Sequence, residues 1–323
     1  MDHVVDEGDD GDIFFYRGGR APQHITHVLI DKSVNEIVDG VFSDCRNLLQ
    51  VDTHDGIRRV GREAFAGCRS LRRINLISAV VIDFKAFSTC LNLESVEFGD
   101  RLETIGSDAF GWTSLTHAKL PSIITIRDSA FYNCQRLADV ELSERLETVG
   151  RQAFKYCEGL QRIAIPLKRD LFEFNHDLQR YNQFADCYSL TTVDLVGQAH
   201  TKTIASFHME SWRADMNELI HRINEVLPST LADDKTEVIR QWMELVLDQM
   251  DHYKSEHYRY VKEGITLLEL ALWKAKLGEK EESSVEGKTK KAKVDADSAR
   301  KGKRITCGAD MVTKNVLPFL QLE

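Results

Sequence analysis

The chain lacks any apolar run long enough to cross a membrane, and it does not start with a secretory signal. None of its hydrophobic stretches approaches the roughly 18 residues that a membrane-spanning helix needs. The first twelve residues contain six acidic side chains and no basic region, which is not the pattern of a signal peptide. We therefore expect an intracellular, cytoplasmic protein that does not bind a membrane.

Motifs for catalysis and for nucleotide or metal binding are also missing. The sequence has no Gly-rich phosphate loop, no Gly-x-Ser-x-Gly nucleophile elbow and no kinase signature. His24 and His27 fall on opposite faces of an alternating strand phrase. His252 and His257 diverge by about 140° on a predicted helix, so neither pair is arranged to bind a metal. We predict that the protein is not an enzyme and has no catalytic residue, metal site or cofactor.

Cysteine is present, but not in the pattern of a disulfide framework. Six of the seven cysteines recur at one position of a repeat, where they would form a column of small buried side chains. Equivalent side chains on adjacent rungs point the same way, which disfavours disulfide geometry, and a reducing compartment disfavours it further. We expect these thiols to be free.

The most informative feature that is present is this internal repeat. A phrase of one residue, usually Ala, then Phe, two more residues and usually Cys returns seven times, with successive phenylalanines 23, 22, 23, 21, 23 and 30 residues apart. Self-similarity with such a period indicates a solenoid, whose coils bury their apolar faces against one another. We predict that one continuous structural core contains Phe42, Phe65, Phe87, Phe110, Phe131, Phe154 and Phe184.

Two further phrases complete each repeat. One ends in an apolar-polar-apolar alternation, as in Leu137–Leu142, which is typical of a strand with one buried face. The other ends in Ile-Gly or Val-Gly, as in Leu146–Gly150. Gly61, Gly106 and Gly150 occupy equivalent positions, where glycine would adopt a tight turn with positive φ without strain. Asp83 and Arg127 stand there in two other repeats, so that geometry is not strictly required.

These phrases resemble the BspA-type, or Treponema-type, leucine-rich repeat, whose strand phrase is followed by Ile-Gly-x-x-Ala-Phe-x-x-Cys. The resemblance covers about residues 24–196, with Thr113 in place of one Cys and Gln183 in place of one Ala. It implies an α+β repeat fold, a leucine-rich-repeat solenoid of about seven coils with a parallel sheet. The C-terminal stretches Trp242-Met243, His252–His257, Leu267–Lys276 and Ile305–Gly308 resemble a group of diatom repeat proteins with a helical tail.

The pattern divides the chain into five parts. Residues 1–12 are expected to be an acidic disordered tail, 13–205 the solenoid, 206–278 an α-helical C-terminal cap, 279–304 a charged basic linker and 305–323 a C-terminal segment. The last coil carries an insertion at residues 166–182 that is too apolar to stand alone in water. The insertion either seals the junction with the cap or protrudes as a recognition loop.

After about residue 206 the apolar period changes to 3.6 residues, which indicates helices. We predict helices over Met209–Leu227, from a start at Ser229-Thr230 or at Asp233 to about Met250, and around Tyr260–Leu277; a break near Tyr253–Tyr260 is left open. Val261, Ile265, Leu268 and Leu272 have heptad-like spacing, but the run is short. This favours packing within one chain, and a monomer over a coiled-coil dimer.

Residues 288–304 are strongly basic, with eight Lys or Arg side chains in seventeen positions. One interpretation is a solvated linker to the final segment. The alternative is a nuclear-import signal or a nucleic-acid contact, which would make the protein nuclear or nucleic-acid-associated.

The outward positions of the predicted strands are the best candidates for a binding site. They vary in charge and size from coil to coil while the buried positions stay nearly constant, as selective recognition requires and as an unconstrained surface would also show. We predict a non-catalytic scaffold that binds another protein through this face. The predicted partner-binding residues are Arg73, Glu97, His117, Lys119, Glu141 and Arg162.

Overall fold

A computed structural model describes residues 13–178 and 180–283 of the chain. Short strands dominate as far as residue 196. They are β1 (Ile13–Tyr16), β2 (His27–Ile30), β3 (Glu36–Ile37), β4 (Gln50–Asp52), β5 (Arg59–Val60), β6 (Arg73–Leu76), β7 (Val81–Ile82), β8 (Ser95–Phe98), β9 (Thr104–Ile105), β10 (His117–Lys119), β11 (Thr125–Ile126), β12 (Asp139–Glu141), β13 (Thr148–Val149), β14 (Arg162–Pro166) and β15 (Thr192–Val196).

The strands form two parallel stacks, one on each side of the coils. The front strands are β1, β2, β4, β6, β8, β10, β12, β14 and β15; the back strands, β3 to β13 in odd numbers, form one six-stranded sheet. Every ladder between the named strands is parallel, and partners lie about one repeat apart, as in Val140 with Ile163. The predicted leucine-rich-repeat solenoid with its parallel sheet is confirmed.

A column of aromatic rings runs through the centre of the coils. The seven phenylalanines that the sequence marks as the core are all fully buried. Successive rings lie 5.1–5.6 Å apart between centroids, with interplanar angles of 1–18°. Tyr16 from β1 packs edge-on against Phe42 at 5.2 Å and ends the column on the N-terminal side. Residues 13–16 thus add a strand and an aromatic ring to the solenoid.

The repeated cysteine has a specific role in this column. Each of five thiols donates a hydrogen bond to the carbonyl of the phenylalanine one coil earlier, at 3.0–3.1 Å, as Cys90 does to Phe65. That carbonyl also accepts the backbone N–H of the cysteine in its own coil. Burial raises the pKa of Cys90 and Cys187 to about 12, which keeps both thiols protonated as donors. All six cysteines in the described part of the chain are free.

The expected role of the repeated glycines is wrong. None of Gly61, Gly106 and Gly150 has a positive φ. Glycine fits there because adjacent coils approach closely: a Cβ on Gly106 would lie 2.6 Å from the carbonyl carbon of Asp83, and one on Gly150 would lie 2.5 Å from the backbone nitrogen of Asp128. The positive φ angles fall instead on two other positions of each coil, mostly on residues with a Cβ.

The insertion at residues 166–182 continues the back sheet and packs on a helix. Leu171 and Phe172 are buried, and the carbonyl of Leu171 accepts the N–H of Val149 at 2.8 Å. Phe172 packs edge-on against Phe184 at 5.6 Å, and the Tyr181 ring lies beneath the Arg240 guanidinium at 4.9 Å. The insertion therefore seals the end of the coils, and its apolar part does not protrude as a recognition loop.

The C-terminal part is helical but differs from the predicted boundaries. Its α-helices are α1 (Ala199–Ser206), α2 (Glu210–His221), α3 (Ile223–Val226) and α4 (Lys235–Ser283), with short 3-10 turns at Leu227–Ser229 and Ala232–Asp234. Helix therefore begins at residue 199 and not at 206, and the helix predicted over 209–227 is interrupted at Arg222. The second and third predicted helices are one continuous helix, because no proline interrupts residues 235–283.

The described chain forms two compact units. One contains the coils up to Gly197 together with Glu218–Leu247, and the other contains Gln198–Asn217 together with the chain from residue 248. The helices expected to form a single cap are thus divided between the units. In the second unit, Trp212 stacks on Tyr253 at 4.8 Å and Phe207 packs edge-on against the same ring.

Three side chains of the first unit make hydrogen bonds to the last coil that a further coil would otherwise make. In earlier coils the backbone N–H of the core phenylalanine donates a hydrogen bond to a carbonyl of the next coil. The backbone N–H of Phe184 donates instead to Oγ1 of Thr236, at 2.9 Å. The N–H of Val193 donates to Oδ1 of Asn224 at 2.8 Å. The buried Nζ of Lys235 donates to three carbonyls, those of Cys187 and Tyr188 at 3.0 Å and that of Leu190 at 2.6 Å.

The described residues do not cover the end of the helical region. The heptad-like residues Leu268 and Leu272 were expected to be covered within the chain, yet they are 61% and 54% exposed. Among the α4 side chains that the structure describes, the buried ones, such as Val246 and Met250, all lie before residue 254, so the covered face stops short of the heptad-like run.

Replacing Phe110 with Ala should destabilise the protein by about 3–5 kcal/mol, because a large ring is removed from the middle of the stack and leaves a cavity. Urea unfolding of wild type and variant measures the difference. Phe15→Ala is the matched control, since the Phe15 ring is 58% exposed and its loss should cost less than about 1 kcal/mol. Equal losses in the two variants would contradict the ring stack as the main core.

Replacing Lys235 with Met should cost at least about 1–3 kcal/mol, although the methionine keeps the apolar packing of the side chain. The substitution removes the donor to the buried Leu190 carbonyl, and it leaves the Cys187 carbonyl with only the N–H of Leu190. Thermal unfolding followed by circular dichroism measures the change, with the exposed Lys202→Met as control. An unchanged melting temperature in Lys235→Met would show that water replaces the ammonium group.

The second unit should lose stability in mild acid. Nδ1 of His208 lies 2.9 Å from Nδ1 of His257, and burial, together with His208, lowers the pKa of His257 below its usual 6.5. The folded state then binds fewer protons than the unfolded state as the pH falls below about 6.5, so stability declines through this range and levels off below the folded-state pKa.

Urea unfolding at pH 7.5 and pH 5.5 tests this effect in His257→Gln, which cannot titrate at this position. The loss of stability between the two pH values should be smaller in His257→Gln than in wild type. His24→Gln, at an exposed histidine, should behave like wild type. A pH dependence that is the same in all three proteins would contradict the assignment.

Candidate binding surface

From β4 onward, the outward side chains of the front strands are mostly polar. They alternate with buried neighbours, as Arg73 and Asn75 do with Ile74 and Leu76. The ladders place Asp139 beside Arg162 and Lys119 beside Glu141. All six residues predicted to bind a partner lie on these strands at outward positions.

The front strands fall into three hydrogen-bonded groups, β1-β2-β4, β6-β8 and β10-β12-β14-β15. Arg73 and Glu97 lie in the middle group, and the other four predicted residues lie in the last group. The groups are joined by single hydrogen bonds, such as the one from the N–H of Thr116 to the carbonyl of Glu94 at 3.3 Å. The structure thus places the six residues on one face but in two sheet segments.

The C-terminal half of this face is held by ion pairs across the coils. Arg162 donates from Nη1 to Asp139 at 2.8 Å and from Nε to Asp194 at 2.6 Å. The hydrogen bond that Arg162 donates to Asp139 is the main reason that the pKa of Arg162 is raised. Lys119 lies 3.4 Å from Glu141. Cross-strand pairs of this kind contribute roughly 0.2–1 kcal/mol each to the stability of the fold. Three of the predicted binding residues thus already have partners within the chain.

We call the outward residues that precede Lys119 the N-terminal half of the face; they include His117, which shares β10 with Lys119. Arg73, Glu97 and His117 are exposed. Within the described residues, Arg73 and Glu97 make no ion pair, and His117 has Nδ1 3.0 Å from Oγ1 of Thr116. Their charges and hydrogen-bonding groups are therefore available to another molecule without breaking a charge pair.

Sequence reasoning missed an apolar area at the start of the same face. β1 pairs with β2 so that Phe15 lies beside Leu29 and Ile13 beside His27. Ile13, Phe15 and Leu29 are 55%, 58% and 38% exposed. The alternation in Ile13–Tyr16 could have indicated a strand. The segment lacks the rest of the repeat, however, so the sequence did not show that it joins the sheet.

A second exposed area that the sequence did not indicate lies at the corner after the core phenylalanines. Trp112 and Tyr132 have ring centroids 6.2 Å apart, and Tyr132 and Tyr156 are 5.4 Å apart. Lys155 lies 4.7 Å over the Tyr156 ring, and half of Trp112 is exposed. The rings are tilted by 48° and 85° to one another, so they do not form a flat stacking platform.

The described residues show no feature of a small-molecule site. A cavity of about 20 Å³ beside Leu171, Tyr181 and Met243 has room for about one water molecule. Across residues 13–178 and 180–283, no three His, Cys, Asp or Glu side chains are arranged to hold a metal ion. In the same part of the chain, no helix combines the length and apolar character that crossing a bilayer requires.

The tails of the chain lie outside the described residues. These are the acidic segment 1–12, the basic cluster at 288–304 and the segment 305–323. The predicted nucleic-acid contact and nuclear-import signal fall on the second of these, so the structure adds nothing to either.

The sequence profile of the BspA type leucine rich repeat region matches the chain in six copies, over residues 21–125, 78–191 and 103–214. The chain belongs to the BspA-type leucine-rich repeat family. Proteins built from leucine-rich repeats are generally scaffolds for protein interactions, because their stacked repeats present long, continuous surfaces. The family assignment confirms the resemblance found in the repeat phrases.

Several solved structures are similar to this BspA-type chain. A leucine-rich repeat protein from Bacteroides ovatus is 24% identical, covering 55% of this chain and 48% of its own, with a TM-score of 0.41. The T. pallidum leucine rich repeat protein is also 24% identical, covering 62% of this chain and 90% of its own, with a TM-score of 0.46.

The pneumococcal vaccine antigen PcpA is 18% identical, covering 56% of this chain and 54% of its own, with a TM-score of 0.36. The chain thus spans only about half the length of the B. ovatus and pneumococcal proteins it matches. Among curated proteins, no significant sequence match is found.

Proposed function

We propose that this BspA-type repeat protein is a non-catalytic scaffold that binds a partner protein through the N-terminal half of its front face. The observation that carries the proposal is the combination of exposed Phe15 and Leu29 with the exposed charges of Arg73 and Glu97 on one stack of parallel strands. An apolar area beside available charges is the usual make-up of a protein interface, where aromatic and arginine side chains contribute most of the binding energy.

The rigidity of the face supports this function. Its strands are fixed from behind by the buried rings and thiols, so little conformational entropy is lost when a partner binds. A specific interface buries roughly 800 Å² on each partner, and successive coils about 4.8 Å apart supply such an area over several strands.

The proposal ranks the six predicted residues. Arg73, Glu97 and His117 should contribute most, because a partner can satisfy their polar groups without breaking a charge pair. Lys119, Glu141 and Arg162 should contribute less, because their ion pairs within the chain must be kept or replaced on binding.

Exchanging the two central charges, Arg73→Glu with Glu97→Lys, should weaken partner binding about tenfold or more while leaving the net charge unchanged. Affinity capture with the tagged full chain, followed by quantitative mass spectrometry, identifies the partners. The affinity of each is then measured with purified proteins by calorimetry. Phe15→Glu, in the apolar area, should weaken the same partners.

The matched control is Lys202→Glu with Glu225→Lys, which exchanges two exposed charges outside the front face and should bind as wild type does. Partners that bind both front-face variants as tightly as wild type would show that the contact is made elsewhere on the chain. A partner lost only by Lys119→Ala or Arg162→Ala would reverse the ranking of the two halves.

A further inference from the structure

The carboxyl-terminal half of α4 carries a large apolar surface that the described chain leaves uncovered. Among the side chains from Lys254 to Lys274, none is buried. Five large apolar side chains of this half have 54–67% of their surface exposed: Leu267, Leu268, Leu270, Leu272 and Trp273. Monomeric proteins rarely leave contiguous apolar patches of this size open, so an occupant is expected.

The apolar side chains surround the helix and do not form a single stripe. At about 100° per residue, Leu270 lies about 200° from Leu268, and Leu267 and Trp273 project between them on opposite sides. A helix that is apolar on all sides is normally buried in a core. A single partner helix would cover only one side of it, so the occupant must be able to reach more than one side.

The same chain contains a segment of matching character. Residues 305–323 include eight large apolar side chains among nineteen: Ile305, Met311, Val312, Val316, Leu317, Phe319, Leu320 and Leu322. The preceding stretch 284–304 is polar and largely basic, with no large aliphatic or aromatic residue except Val285 and Val294. The apolar segment is thus separate from α4 but tethered to it.

The tether has a suitable length. The described part of α4 extends to Ser283, and at 1.5 Å per residue Leu268 lies about 22 Å before that point. The 21 residues 284–304 connect the helix to the segment, and the average end-to-end distance of an unstructured linker with that many residues is about 25 Å. A tether whose average length matches the span gives a high effective concentration, on the order of mM.

We propose that residues 305–323 dock within the same chain on the apolar carboxyl-terminal half of α4. The tether presents this segment at an effective concentration far above that of a second copy at about µM, so the intramolecular contact forms first. A connected segment can also follow the helix surface to more than one side, as the distribution of the leucines requires. The contact is independent of the front face and of the function proposed for it.

Hydrogen exchange of the full chain, followed by mass spectrometry at micromolar and at tenfold lower concentration, tests the contact. In wild type, the amides of residues 309–322 should exchange about tenfold more slowly, or more, than in Leu268→Glu/Leu272→Glu. These leucines are exposed, so the double variant should keep the melting behaviour of wild type. Reciprocally, Phe319→Glu/Leu320→Glu should speed exchange at residues 260–276.

The matched control is Leu231→Glu, which places a charge at a leucine that is 73% exposed in another part of the chain and should leave the protection of 309–322 unchanged. Protection that weakens on dilution, together with a dimer in analytical ultracentrifugation, would identify a second copy as the occupant and overturn the proposal. Fast exchange of 309–322 in wild type, or protection unaffected by the α4 charges, would overturn it as well.

Discussion

The structure depends on one contact repeated along the chain, the stacking of a phenylalanine of each coil on that of the next. No coil has an interior of its own: each ring is covered by the ring before it and the ring after it, at 5.1–5.6 Å. The cysteine thiol adds a directional hydrogen bond to this contact, because it donates to the carbonyl of the phenylalanine in the previous coil. The front face is rigid because its strands are attached to this column, and not because they pair strongly with one another.

A column of this kind has two ends, and the chain closes them differently. At the first coil, an added strand places Tyr16 edge-on over Phe42. At the last coil, Asn224, Lys235 and Thr236 supply the hydrogen bonds that a further coil would have made. Lysine in the first turn of a helix is unfavourable for the helix dipole, so its position at the start of α4 reflects the need of the coil and not of the helix.

Sequence reasoning recovered what repeats and failed where the pattern occurs only once. The period located all seven phenylalanines of the ring stack and the outward face, because seven copies of one phrase fix the register. It misjudged Gly106, since a small side chain is compatible both with positive φ and with close coil contact, and only coordinates distinguish them. The period did not indicate the roles of Lys235 and Phe15, because these residues lie at the two ends of the column, where the repeat no longer applies. Ion pairs such as Arg162 with Asp139 depend on which outward residues become neighbours, which the buried pattern does not determine alone.

The positive φ angles link the strain in each coil to the presence of its neighbour. Twelve residues with a Cβ adopt this conformation, among them Lys85, Trp112 and Tyr156, at a cost of roughly 1–2 kcal/mol each. Nine of these twelve residues donate their N–H to the next coil, as Lys85 does to Ser107, Trp112 to Tyr132 and Tyr156 to Ala185. The strained conformation therefore points a backbone N–H donor at the next coil. The free-energy cost of positive φ is offset only when the next coil is present to accept this hydrogen bond. A coil without its successor keeps the strain and loses the hydrogen bonds, which favours cooperative folding of the solenoid and explains why its last coil requires side chains that imitate another coil.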